Sequence, residues 1–133
     1  MSDVATKGVG INGVTTIGVP TSDQERALAF FIDTLGFEKR RDAPFGPGLR
    51  WIEVAPKPAA TTIALAPNPE GHPIGVDTGV RFATDDADRD HARLRELGVD
   101  VDDSVLRFGP GVPPMFSFRD PDKNTYYIVG SEA

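Results

Sequence analysis

The sequence predicts an α+β fold made of two β-α-β-β-β modules, and three observations carry that expectation. The chain of 133 residues repeats itself at an offset of 63, so that Phe45-Gly46-Pro47-Gly48 recurs letter for letter as Phe108-Gly109-Pro110-Gly111. Other landmarks keep the same register: Thr21 falls on Thr84, Ser22-Asp23 on Asp85-Asp86, and the stretch 62–66 on 125–129. The period of the apolar pattern also changes between strand-like and helix-like in the same order in both halves.

In the first half, 14–20 alternates and carries β-branched residues, as a strand does. Ser22 or Asp23 can cap the helix that follows, and Glu25, three residues after Ser22, completes a capping box. Ala27, Leu28, Phe31 and Leu35 recur at helical spacing, Phe30 widens the stripe, and Gly36 ends it. Strands are then expected at 37–41, 49–55 and 61–66. In the second half a strand at 79–83 precedes a helix capped by Asp85 or Asp86. Ala92, Leu94 and Leu97 mark one face of that helix, and Gly98 stops it. Strands follow at 99–101, 115–118 and 125–129.

Neither half has enough helix to cover both faces of a sheet, so one domain is expected. Its parts are a flexible tail at 1–10, a first module at 11–67, a linker rich in Pro, Gly and Asn at 68–75, and a second module at 76–131.

With 39% hydrophobic and 26% charged residues, the chain has the composition of a folded soluble protein. A net charge of -6 argues against nucleic acid as a partner, because phosphates need a basic surface. It suits a neutral or cationic small molecule. The chain has no cysteine, so it has no disulfides, thiolate nucleophiles or zinc–thiolate sites. No apolar run approaches the ~20 residues of a membrane span, and the first ten residues lack the apolar core of a signal peptide. A cytoplasmic protein without membrane partners is expected.

The run Ser22-Asp23-Gln24-Glu25-Arg26-Ala27-Leu28-Ala29-Phe30-Phe31, closing at Leu35-Gly36-Phe37, resembles the opening helix of the vicinal-oxygen-chelate superfamily, which unites glyoxalases, bleomycin resistance proteins and extradiol dioxygenases. Phe118-Arg119-Asp120-Pro121-Asp122-Lys123-Asn124 resembles that superfamily's closing hairpin, with Lys123 in place of the usual glycine. The resemblance spans about residues 12 to 130. It implies that each module curls into half of a cup of mixed sheet around a ligand cavity, and that the protein is a homodimer. It also implies metal ligands on the first and fourth strands of each module. Here those places fall on Thr16, Ala64, Gly79 and Tyr127. Divalent ions in this fold need imidazole or carboxylate donors, so neither a metal nor another cofactor is expected. The two histidines, His72 in the linker and His91 in a charged helix, read as ordinary surface residues.

The expected ligand-binding residues are Thr16, Trp51, Glu53, Phe116 and Tyr127. Trp51 is the only tryptophan and offers a stacking surface. Glu53 lies two residues on and shares its strand face. Phe116 falls on Glu53 at the repeat offset, Met115 beside it reads as core packing, and Thr16 and Tyr127 can offer hydroxyls. Two functions stay open. One is metal-free binding of a small, partly aromatic molecule, as in sequestration of an antibiotic or toxic metabolite. The other is an enzyme: a metal-free isomerase, epimerase or lyase with Glu53 as base and Tyr127 as acid, or a metal-dependent lyase or dioxygenase if the ligand positions lie elsewhere.

Overall fold

The structure is a computed structural model that describes residues 8–68 and 70–131. Most of the expected tail, residues 1–7, lies outside the described residues, as does Pro69 of the linker.

The first module runs β1 (Thr16–Pro20), α1 (Gln24–Ala29), β2 (Glu38–Pro44), β3 (Arg50–Ala55) and β4 (Thr62–Ala66). The second runs β5 (Asp77–Thr84), α2 (Ala87–Glu96), β6 (Asp100–Val101), β7 (Met115–Arg119) and β8 (Thr125–Gly130). The strands form two separate four-stranded mixed sheets, ordered β1-β4-β3-β2 and β5-β8-β7-β6. In each, the first strand runs parallel to the last and the other pairs are antiparallel.

Local chemistry explains the helix starts. Asp23 and Asp86 hold extended backbone and accept from the amides of Arg26 and Arg89, so each is an N-cap. The expected capping box does not form. Ser22 turns instead toward Asp122, and Glu25 pairs with Arg50. After Ala29 the first helix widens into a π-helical turn, Phe30–Thr34, which sequence periodicity does not announce. On α2 the buried residues are Ala87, His91 and Leu94, a face at i, i+4 and i+7. Ala92 and Leu97, which the spacing groups with Leu94 on one face, are exposed, Leu97 at 42%.

One face of each sheet packs into the core. Val19, Ile52, Val54, Ile63 and Leu65 of the first sheet and Val80, Phe116, Phe118 and Tyr126 of the second belong to one hydrophobic cluster that includes both helices. Phe31 meets Tyr126 edge-on at 5.6 Å, and Phe37 meets Phe82 at 5.3 Å, so aromatic contacts join the modules.

A polar clasp joins them as well. Asp122 accepts from Thr21 Oγ1 at 2.9 Å, from the Ser22 amide at 3.1 Å and from Arg26 at 2.8 Å. Asn124 is fully buried; its Oδ1 accepts from the amides of Gly75 and Val76, and its Nδ2 donates to Pro20 O at 2.8 Å. Asp120 closes the hairpin turn by accepting from Tyr126 and from the amides of Asp122 and Asn124. Its burial pushes the carboxyl above its ordinary value.

Candidate ligand-binding face

Because successive strand residues alternate, the positions that do not enter the core line a second face of each sheet. On the first sheet these are Thr16, Gly18, Trp51, Glu53, Thr62 and Ala64, aligned by the pairs Thr16–Thr62, Gly18–Ala64 and Glu53–Ala64. On the second they include Arg81, Ser117 and Tyr127, aligned by Arg81–Tyr127 and Ser117–Tyr127.

Glu53 is the centre of the first face. Trp51 Nε1 donates to Glu53 Oε2 at 2.6 Å, and Thr62 Oγ1 donates to Glu53 Oε1 at 2.9 Å. Thr62 Oγ1 also lies 2.8 Å from Thr16 Oγ1. A hydroxyl has one proton and a carboxylate only accepts, so Thr62 gives its proton to Glu53 and accepts one from Thr16. The indole N–H holds the Glu53 carboxyl below its ordinary value, with further help from Thr62 and the Arg41 guanidinium at 3.7 Å, and burial opposes them. The group is therefore a fixed anion, and its lowered pKa makes it a weak base. Phe45 packs edge-on to Trp51 at 5.9 Å and is 44% exposed, so a half-open aromatic corner stands beside the carboxylate.

Tyr127 is held differently. Its hydroxyl donates to Asp77 Oδ2 at 2.6 Å, which raises its pKa, and the Arg81 guanidinium lies 4.5 Å from its ring centroid. Nearby, Asp102 accepts from the Ser117 amide and hydroxyl and from Arg119.

Thr16, Trp51 and Glu53 thus share one face, and Tyr127 lies on the corresponding face of the other sheet. Phe116 does not join them. It is 1% exposed and packs on His91 at 5.1 Å within the core. The cause is one extra residue after the second Phe-Gly-Pro-Gly turn. The partner of Ala64 is Glu53 and the partner of Tyr127 is Ser117, so the strand offset here is 64, not 63. A one-residue slip moves every side chain to the other face. Met115, expected in the core, takes the position equivalent to Trp51, on the face opposite Phe116. His91 is also not a surface residue; it is buried, with Nε2 2.6 Å from Asp102 O. His72 is exposed beside Glu70. Sequence reasoning missed Thr62, Arg41 and Phe45, which reach Glu53 and Trp51 across strands or from the turn. Phe45 carried a signal, since it belongs to the repeated turn.

Thr16, Ala64, Gly79 and Tyr127, at the places where the resemblance puts metal ligands, supply no imidazole or carboxylate, and Tyr127 is committed to Asp77. Among the described residues, no three His, Asp or Glu side chains gather as a metal site would need. The residues present do not fit a divalent ion.

A family model for the Glyoxalase/Bleomycin resistance protein/Dioxygenase superfamily matches residues 13–127. The chain belongs to this superfamily. It is similar to the crystal structure of TnmS3, an antibiotic binding protein from Streptomyces sp. CB03234. Identity is 37%, the TM-score is 0.78, and the match covers 92% of this chain and 98% of that one. A superfamily member from Sphaerobacter thermophilus DSM 20745 matches at 34% identity and a TM-score of 0.82, over 91% and 98% of the two chains. The uncharacterized protein YetH of Bacillus subtilis (strain 168) is 27% identical, over 89% of this chain and 98% of its own length. No helix among the described residues is long and apolar enough to cross a membrane.

Proposed function

We propose that this protein captures a small, partly aromatic molecule, such as an antibiotic or toxic metabolite in the cytoplasm, without a divalent ion. One observation carries the reading: the indole of Trp51 is locked by its own hydrogen bond to a fixed carboxylate, on a sheet face outside the core. The site offers an aromatic edge, an anion and a hydroxyl pair, which suits stacking and hydrogen bonding. The likeness to TnmS3, described as antibiotic binding, points the same way. The acid–base alternative draws less support, because the lowered pKa makes Glu53 a weak base and the Tyr127 hydroxyl is engaged with Asp77.

We further propose a homodimer. Both sheets press one face into a shared core, so their other faces turn away from it. Four of the clefts on the described surface have linings without Thr16, Trp51, Glu53 or Tyr127. A second copy laid against the open faces would close the site.

Fluorescence tests the binding role, since Trp51 is the only tryptophan. Planar antibiotics and aromatic metabolites are titrated into chelator-treated protein. Saturable quenching at a fixed stoichiometry is expected. No response across the panel, or a response only after adding a divalent ion, refutes the reading.

A further inference from the structure

On the helical side of the molecule, away from Trp51 and Glu53, a cleft of about 450 Å³ opens between the two modules. One wall is the end of the π-helical turn with Asp33 and the chain after it with Phe37; the other is the end of α2 with Arg93 and its C-cap Leu97. The floor is Phe82 with Ile128, from the core face of the second sheet. We propose that this cleft is a second ligand site, for a compact aromatic molecule bearing a protonated amine.

Size and position support a ligand. The volume lies in the range of small-molecule pockets, roughly 300–1,000 Å³, and such pockets favour the junction of two modules. The floor is aromatic and rigid. Phe82 is wedged edge-on against Phe37 and lies near parallel to Tyr126 at 6.0 Å, yet it is only partly buried. The protein leaves this apolar surface uncovered where a close-packed interior would fill it. The wall carrying Asp33 is shaped by the π-helical turn, and such turns recur at functional sites.

Charge selects the class. Arg93 at the rim is balanced by Glu96, 3.3 Å away. Asp90, also at the rim, accepts from Thr84 and pairs with Arg89. The carboxylate of Asp33 has no hydrogen bond or ion pair among the described residues. The uncommitted charge at the mouth is therefore negative, above an aromatic floor. An aromatic ring can stack below while an ammonium group meets Asp33.

The test is a titration of isotope-labelled protein with 1-naphthylmethylamine, followed by amide chemical shifts in the two-dimensional NMR spectrum. Saturable shifts at 33–37 and 90–97 are expected, with little change at 51–53. Asp33→Asn should weaken binding about five-fold, the scale of one partly exposed ion pair. Leu97→Trp, at an exposed position, should fill the cleft and abolish the shifts while the rest of the spectrum stays folded. Several results overturn the proposal. They are shifts confined to 51–53 and 127, no saturation at millimolar probe, or 1-naphthoate binding as tightly as the amine. Shifts at 33–37 that follow protein concentration without probe would also overturn it, by making the cleft a contact between copies.

Discussion

Replacing Asn124 with Ala should cost about 3–5 kcal/mol of stability. The carboxamide is fully buried and joins three stretches of chain: it accepts from the amides of Gly75 and Val76 and donates to Pro20 O. Alanine leaves those three backbone groups without this partner, and each such loss costs roughly 1–3 kcal/mol unless water enters. Partial hydration of the Gly75 amide brings the sum to the lower half of that range. Against a typical total of about 5–15 kcal/mol, this is a large fraction. Urea denaturation measures it. With a slope of roughly 2 kcal/mol/M, the midpoint should fall by about 2 M. Asn124→Asp separates the donor from the acceptors. It can still accept from both amides, but it cannot donate to Pro20, and it sets a second carboxylate against Asp120. Its defect should shrink as the pH falls and one carboxylate takes a proton. A midpoint change below about 0.5 M in Asn124→Ala would refute the idea that this side chain clasps the modules.

Three further outcomes are expected. Lys123 sits at a φ of 69°, where a side chain is strained, so Lys123→Gly should gain about 1 kcal/mol in the same assay despite losing a weak surface contact with Asp100. Glu53→Gln should destabilise the protein near neutrality but not in acid. The folded pKa of Glu53 is depressed, so its contribution is present above the ordinary value of about 4.5 and is lost as pH falls through the lower folded value; paired melting curves from pH 7 to pH 3 read this directly. Phe116→Ala should cost about 3–5 kcal/mol by opening a cavity under α2, whereas Met115→Ala, on the other face of the same strand, should cost far less; equal losses would contradict the register of β7.

The repeat made most of the fold legible. It lies in short-range signals: the turn glycines, the aspartate caps and the alternation of strands such as 62–66. Trp51 and Glu53 could be placed together for the same reason, because residues two apart share a strand face. What failed depends on long-range geometry. Val112-Pro113-Pro114 precedes Met115 where only Leu49-Arg50 precedes Trp51, and one inserted residue reverses which side chain is buried. His91 looked like part of a charged helix, yet the buried stripe of that helix runs through it toward Phe116. The Trp51 indole that chiefly lowers the Glu53 pKa is a same-strand neighbour, but the bond from Thr62 crosses strands, so no local pattern could reveal that second anchor.

The most direct single measurement is a calorimetric titration of chelator-treated wild-type protein and Trp51→Ala with the tightest ligand from the fluorescence panel. Wild-type protein is expected to bind without any divalent ion, and Trp51→Ala to lose at least ten-fold in affinity. Equal affinities in the two proteins, or binding restored only by added metal, would contradict the assignment of this face as a metal-independent ligand site.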